Sequence, residues 1–143
     1  MLDITTKAVA ATAAIHLKDA EGNHMYFGEG DARKPVQIVV YGPGSAQYAE
    51  VEARQTNRAV KRMQDNDGKV AVASPEQRDA EQAEDLAAIT VSFENFTYPP
   101  AGTAAGAEMF RAFYADKSLG FITAQVLKAV RDWGNFKVAS PPN

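Results

Sequence analysis

The chain has 143 residues, with 15 lysines and arginines, 18 aspartates and glutamates, and no cysteine. A chain of this length fits one domain and buries roughly two thirds of its unfolded surface without a disulfide or a metal. The missing cysteines exclude thiolate zinc sites, iron–sulfur clusters and a cysteine nucleophile. The net charge of −3 gives no general attraction to nucleic acid or to anionic membranes.

The N-terminal region is apolar but does not have the pattern of a membrane segment. No apolar run comes near the roughly 20 residues that are needed to span a bilayer. Residues 8–17 are apolar and follow Lys7, as in a secretory signal, but Asp3 makes a poor positive start for one. The sequence therefore predicts a soluble intracellular protein.

The first 42 residues have the pattern of an antiparallel sheet. Ile15 and Leu17 alternate with polar residues, residues 19–23 have turn chemistry, and Met25 and Phe27 alternate on the return strand. We expect these two strands to form a hairpin.

A third strand is predicted over residues 35–41. Alternate residues from Val36 to Val40 share one apolar face, and Val39 and Tyr41 lie on the other. A strand that is apolar on both faces is covered on both. Since three strands are near the minimum for a stable sheet, we expect helices to pack against this one.

Two helices with clear start signals follow the sheet region. Ser45 comes after a Gly-Pro-Gly turn and can cap a helix over residues 46–64. The stripe of this helix that would face the core is weak and consists of Tyr48, Val51, Gln55, Ala59 and Met63. The second helix begins at Ser74-Pro-Glu-Gln77, which has the pattern of a capping box with proline at the first helical position.

The second helix is expected to continue through Leu86, Ile89 and Phe93, because these apolar residues recur at spacings of three and four. Its outer face is predicted to be acidic. The acidic residues are Glu76, Asp79, Glu81 and Asp85.

Two more helices are predicted in the C-terminal part. One covers residues 103–115 with Phe110 and Phe113 facing inward, and Asp116 can cap the other, over residues 117–133. The apolar stripe of the last helix consists of Leu119, Ile122, Val126, Ala129 and Trp133.

The predicted fold is therefore α+β. A small N-terminal antiparallel sheet of three strands, within residues 1–42, precedes a bundle of four helices within residues 45–136. Residues 137–143 form a loose C-terminal tail, and the whole chain forms a single domain.

The sequence contains no recognisable set of catalytic residues. His16 and His24 lie on consecutive strands with no third ligand nearby in sequence, so we expect a solvent-facing pair and no metal. The turn at residues 41–45 lacks the Lys-Ser/Thr ending of a phosphate-binding loop. With no convergent acid, base and nucleophile, the sequence predicts a protein that is not an enzyme and needs no cofactor.

A basic stripe lies along the first helix. Its members are Arg54, Arg58, Lys61 and Arg62. DNA binding is one interpretation, but no helix-turn-helix spacing accompanies the stripe and the net charge is negative. Pairing with the acidic second helix or with an acidic partner protein is favoured. We take the stripe, together with Tyr114 and Phe136, as candidate exposed contacts for a partner, because aromatic residues are enriched at protein interfaces.

The C-terminal segment contains motifs in an informative order. They are Phe113-Tyr-Ala-Asp116, Leu119-Gly-Phe-Ile122, Gln125-Val126, Val130 and Asp132-Trp-Gly-Asn-Phe136. This order resembles the end of the tail assembly chaperones of long-tailed bacteriophages. In that family an aromatic-rich Tyr-x-Asp-Pro start leads into an amphipathic helix that contains Gln-Val and closes on Asn-Phe.

The resemblance extends over residues 36–136. The strand that ends in the 41–45 turn resembles the N-terminal half of these chaperones, and residues 87–96 are similar to their middle segment. The chain departs from the family at Lys117, where proline is usual, and at Gly44, where aspartate is common. Both residues are compatible with the same caps and turns.

The resemblance implies a function in virion assembly. Such chaperones bind the long, hydrophobic tape-measure protein in the cytoplasm of the host cell, keep it soluble, help to recruit tail-tube subunits and are absent from the mature virion. They often occur beside a longer frameshifted form, of which this chain would be the short one. Self-association would strengthen weak, repeated contacts through avidity. Two alternatives are a structural subunit of the phage neck, tail tube or tail tip, and a small DNA-binding phage regulator.

Overall fold

The computed structural model describes residues 1–138, and it has an α+β fold. The strands are β1 (Thr12–His16), β2 (Tyr26–Phe27), β3 (Lys34–Pro35), β4 (Gln37–Tyr41) and β5 (Thr90–Glu94). The helices are α1 (Ala46–Asp65), α2 (Pro75–Ala88), α3 (Ala107–Ala115) and α4 (Gly120–Val130). The prediction of an α+β fold with one small antiparallel sheet and four helices is confirmed.

The main sheet has the antiparallel order β1-β4-β5, with β4 in the centre. In β4 the side chains of Ile38 and Val40 are fully buried, and those of Val39 and Tyr41 are half-buried. The predicted return strand after β1 is reduced to an isolated bridge between Lys18 and His24. Strand β2 instead pairs with β3 in a separate two-stranded ribbon.

The expectation that the strands are confined to residues 1–42 is wrong. The second helix ends at Ala88 and does not continue through Phe93, because residues 90–94 form β5 on the far side of β4. Phe93 pairs with Ile38 in this register, and the Tyr41 amide donates to the Ile89 carbonyl. Val91 and Phe93 are residue types that favour a strand, and β4 supplies the partner strand for this segment.

The start signals of α1 and α2 act as predicted. The Ser45 hydroxyl accepts a hydrogen bond from the Tyr48 amide, and Ser74 with Gln77 forms a complete capping box ahead of α2. The connection between the two helices, residues 66–73, contains no helix or strand.

The core lies between the sheet and helices α2, α3 and α4. It includes Ile38 and Val40 of β4, Leu86 of α2, Phe113 of α3 and Val126 of α4. Helix α1 contributes a single buried residue, Val51. Burial of apolar side chains therefore contributes little to holding this long helix against the rest of the protein.

The C-terminal end differs from the predicted single helix over 117–133. A 3-10 turn occupies Lys117–Leu119, α4 ends at Val130, and Trp133 lies in a second 3-10 turn, where it is 55% exposed and not part of the inward stripe. Asp132 caps this second turn by accepting from the Gly134 amide. Of the predicted loose tail, Lys137 forms an antiparallel bridge with Val9, and residues 139–143 lie outside the described part of the chain.

Candidate protein-interaction surface on helix α1

The inner face of α1 is attached to α2 by an ionic contact. Arg58 donates from Nη1 to both carboxylate oxygens of Asp85, at 2.8 Å and 2.9 Å, and the Gln55 amide donates to the same carboxylate at 3.1 Å. Asp85 is buried and does not belong to a solvated outer face, which corrects the expectation for that residue. A buried carboxylate requires such partners because an unpaired charge is costly to desolvate.

Three further ion pairs extend this contact along the two helices. Arg54 and Arg58 lie 3.5 Å and 3.4 Å from the Glu84 carboxylate, and Arg62 pairs with Glu81. The structure thus confirms the pairing with the acidic second helix for the three arginines of the stripe, Arg54, Arg58 and Arg62. Lys61 is exposed and has no ion-pair partner within residues 1–138.

A groove of about 410 Å³ lies beside these ion pairs, between α1, α2 and α4. Its apolar lining includes Val51, Leu86, Ile89, Leu127 and Val130. Arg58, Arg62, Glu81 and Asp85, which form ion pairs with one another across the two helices, border the groove. Glu52, Arg78 and Arg131 also line it and form no ion pair in the described part of the chain.

The outer face of α1 has the opposite character. Residues at spacings of four, three, four and three lie on one side of a helix, as the a and d positions of a coiled coil do. On α1 this set is small or apolar, and we call it the outer seam. It consists of Ala49, Ala53, Thr56, Val60 and Met63.

Every residue of the outer seam is exposed, including Val60 at 41% and Met63 at 38%. Val60 follows Arg58 by two positions, which is about 200° around the helix, so it points away from α2. In most surface helices the apolar face packs on the core and the charged face meets water. Helix α1 reverses this arrangement: its arginines face the protein and its seam faces solvent.

Two valines in the α1–α2 connection add to the exposed apolar surface of this part of the chain. Val70 and Val72 are each 83% exposed, and Ala71 and Ala73 between and after them are less exposed. Single exposed apolar residues are common on proteins, so these two valines add apolar area without by themselves marking a binding surface.

The two aromatic candidates are not exposed contacts, so that expectation is wrong for both. Tyr114 is 6% exposed, and its hydroxyl bonds to the Thr90 hydroxyl at 2.7 Å. Phe136 is 1% exposed, and its ring lies against Gly42. Both are aromatic residues in the C-terminal part of the chain. The sequence contains no signal that distinguishes aromatic residues buried in the core from those at the surface.

The two histidines lie close together without the neighbours that a metal would need. Their rings stack with centroids 4.2 Å apart, and the His16 Nε2 atom is 2.9 Å from the Met25 carbonyl oxygen. Within residues 1–138 there is no cluster of three or more histidine, aspartate or glutamate side chains that could hold a metal ion. Over the same residues, no helix is long and apolar enough to cross a membrane.

Comparison of the chain with models of protein families finds no match, and comparisons with curated proteins and with solved structures find none either. What supports a function is therefore the order of motifs in the sequence and the geometry of the surface.

Proposed function

We propose that this protein is a tail assembly chaperone of a long-tailed bacteriophage, which binds the tape-measure protein through the outer seam of α1 and keeps it soluble. The observation that carries the proposal is the reversed arrangement of α1. A helix of 20 residues is held by ion pairs on one side and presents a heptad-spaced seam on the other. The order of motifs over residues 36–136 supplies the class of partner.

A helical partner suits this seam better than an extended one. Small residues at Ala49 and Ala53 let a second helix approach closely, and Val60 with Met63 supplies apolar area further along. A helix of this length is about 30 Å long, which gives room for two to three heptads of a partner. Such a contact is modest in area and reversible, as a chaperone that must later leave its client requires.

The chaperone acts without chemistry of its own in this proposal. Many copies would bind along one long partner, so weak individual contacts would add up through avidity. Recruitment of tail-tube subunits and self-association would use other surfaces of the chain. The chaperone would act in the host cytoplasm, before the tail is complete.

The test is co-expression with the tape-measure protein of the same phage, followed by affinity purification and measurement of its soluble fraction. We compare the unaltered chain with Ala53→Glu combined with Val60→Glu, which places two charges in the seam. The matched control is Ala80→Glu combined with Ala112→Glu, two exposed alanines on α2 and α3.

We expect the unaltered chain and the control to co-purify with soluble tape-measure protein in several copies, and the seam variant to lose both effects. Equal activity of all three chains would contradict the seam as the binding surface. If no chain solubilises the tape-measure protein, the chaperone function itself is contradicted.

The first alternative is a structural subunit that stays in the neck, tail tube or tail tip. A structural subunit could use the same seam to bind a permanent partner, so the seam does not distinguish a subunit from a chaperone. Presence in the mature particle, or absence from it, does. Mass spectrometry of purified particles should find a structural subunit at constant stoichiometry and should not find a chaperone.

The second alternative, a DNA-binding regulator, has less support. Arg54, Arg58 and Arg62 are engaged with carboxylates of α2, and a phosphate backbone would have to displace these partners. Salt-sensitive binding to duplex DNA would revive this alternative.

A further inference from the structure

One edge of the main sheet has free backbone groups. Along a strand, the N–H and C=O groups of successive residues point to opposite edges. The Leu17 amide donates to Val36, and the Ala11 carbonyl accepts from the Gly42 amide, so the odd-numbered residues of this stretch face β4. The even-numbered residues of β1 therefore point outward. They are Thr12, Ala14 and His16.

The two ends of this outward edge are already bonded. The Gln125 side chain accepts from the Lys18 amide at 2.8 Å and donates to the Lys18 carbonyl at 2.7 Å, as a neighbouring strand would. At the other end the Ala10 amide donates to the Phe136 carbonyl at 2.7 Å. Within residues 1–138, the outward groups of the three residues between these ends have no backbone or side-chain partner. The open stretch has the length of a short strand.

The opposite edge of the same sheet is protected. Strand β5 has an irregular register where Val39 and Val40 pair with Ser92 and Thr90, so that Val91 is an extra residue on β5. It also carries Glu94 within the strand. Bulges and charged residues are common devices against unwanted strand pairing, whereas β1 has a continuous register and no Lys, Arg, Asp or Glu.

A groove of about 500 Å³ lies alongside the open edge. One wall is β1 at Ala14 and His16, and the other is formed by α4 and the turn after it. An edge strand that faces a helix across a groove is the geometry in which extended peptides add to a sheet.

The charges around this groove favour an acidic occupant. Lys18 and Lys128 line it and have no ion-pair partner in the described part of the chain. The one carboxylate in the lining, Asp132, already accepts from the Gly134 amide.

We propose that the β1 edge binds an extended, acidic segment of a partner protein, which adds to the sheet as a fourth strand beside β1. The bound segment exchanges backbone hydrogen bonds with Thr12, Ala14 and His16 and places acidic side chains near Lys18 and Lys128. This interface is separate from the outer seam, and it does not depend on the chaperone function.

The probe is a synthetic peptide, acetyl-Thr-Glu-Val-Glu-Val-Thr-amide, titrated into the full chain and followed by NMR. A second peptide with lysine in place of both glutamates has the same strand propensity and the opposite charge. We expect the acidic peptide to slow hydrogen exchange of the Thr12, Ala14 and His16 amides by about tenfold or more, since exchange reports the loss of solvent-exposed amides. The lysine peptide should leave these amides unchanged.

Two variants test the mode of binding. Ala14→Pro removes an outward N–H that makes no bond within the sheet, so the β1–β4 ladder stays intact while the added strand loses a donor. Lys128→Glu changes only the charge of the opposite wall and leaves β1 untouched. Each should weaken binding of the acidic peptide by about tenfold, the size of effect produced by losing one good contact.

The proposal would be overturned by failure of the acidic peptide to bind the unaltered chain or by equal binding of both peptides. Unaltered binding by either the Ala14→Pro or the Lys128→Glu variant would overturn it as well. Protection of the same amides that rises with protein concentration, without any peptide, would show that a second copy of this chain occupies the edge and would also contradict it.

Discussion

The ring of Phe136 lies against the Cα atom of Gly42, where the chain leaves the central strand for α1. A side chain on Gly42 would overlap this ring, and Phe136 is itself enclosed by the core. The last turn of the described chain is therefore fixed to the start of the helical part. The same residue supplies the carbonyl that holds Ala10, so one aromatic residue joins three distant stretches.

Gly42→Ala should destabilise the protein because the Phe136 ring must move out of a filled site. Overpacking of this kind typically costs about 1–3 kcal/mol in the free energy of unfolding. Urea unfolding followed by circular dichroism measures the change. The matched control is Gly120→Ala, where an added methyl group meets open space at the start of α4. That variant should be unchanged or slightly more stable, and equal losses in both variants would contradict the packing account.

Arg58→Met should destabilise the protein more than its position near the surface suggests. The Arg58 and Asp85 side chains are 19% and 10% exposed, so removing the arginine leaves a largely buried carboxylate with Gln55 as its remaining hydrogen-bond donor. Breaking one partner of a buried pair costs about 3–5 kcal/mol, whereas replacing both partners with apolar residues can be neutral.

A double-mutant cycle with Arg58→Met and Asp85→Leu tests this expectation by urea unfolding. The double variant should recover most of the loss, and additive losses would contradict the pairing. Lys61→Met is the control, because Lys61 is exposed and unpaired in the described chain, and it should change stability by less than about 0.5 kcal/mol. By the same reasoning, Arg58→Glu with Arg62→Glu should loosen α1 from α2. A loss of partner binding in that variant would therefore not identify these arginines as contacts.

Tyr114→Phe should remove one hydrogen bond from the core without leaving a cavity. The Thr90 hydroxyl donates to the Leu86 carbonyl at 2.7 Å, so the Tyr114 hydroxyl is the donor in its bond to Thr90. The loss should be about 1 kcal/mol at pH 7, measured by urea unfolding. Burial raises the pKa of the Tyr114 phenol well above its ordinary value of 10.0.

The raised pKa of Tyr114 also gives the prediction a pH dependence. Above pH 10 the unfolded chain loses the Tyr114 proton while the folded chain retains it, so stability falls as pH rises through this range. The phenylalanine variant should show a smaller fall between pH 10 and pH 11 than the unaltered chain. An identical alkaline fall in both chains would contradict the burial of this phenol as its cause.

Local signals in the sequence predict the helix starts but not the order of the sheet. The caps at Ser45 and Ser74 act within three residues, so the sequence alone identifies them. The helical spacing of Leu86, Ile89 and Phe93 predicts a helix where the chain forms β5, and only pairing with β4 favours an extended chain there. That pairing joins residues fifty or more positions apart, which no local pattern contains.

The orientation of α1 was missed for a related reason. The stripe predicted to face the core includes both Val51 and Met63, yet Val51 is buried and Met63 is exposed. The arginines lie on the inner face of α1 because the carboxylates of α2 face them there. The sequence contains both the arginines and the carboxylates but does not show that the two helices lie side by side. The heptad spacing of the outer seam is present in the sequence. Its exposure follows only from the position of α2.

The Asp116 carboxylate contributes stability that is lost at acid pH. Its carboxylate accepts hydrogen bonds from the Ser118 hydroxyl and from the Tyr98 hydroxyl, and these bonds hold the pKa of Asp116 below its ordinary value of 3.8. A carboxylate whose pKa is lower in the folded chain stabilises the fold above its unfolded pKa. That contribution is lost as pH falls through the folded value.

Thermal unfolding of the unaltered chain and of Asp116→Asn, measured from pH 6 to pH 2, isolates this contribution. The unaltered chain should melt at the higher temperature at pH 6, and the difference should shrink once the pH falls below 3.8. Asp3, whose pKa is also lowered, by its bonds to Thr5, remains in both chains and cancels in the comparison. A difference in melting temperature that stays constant across this range would show that Asp116 acts through packing and not through its charge.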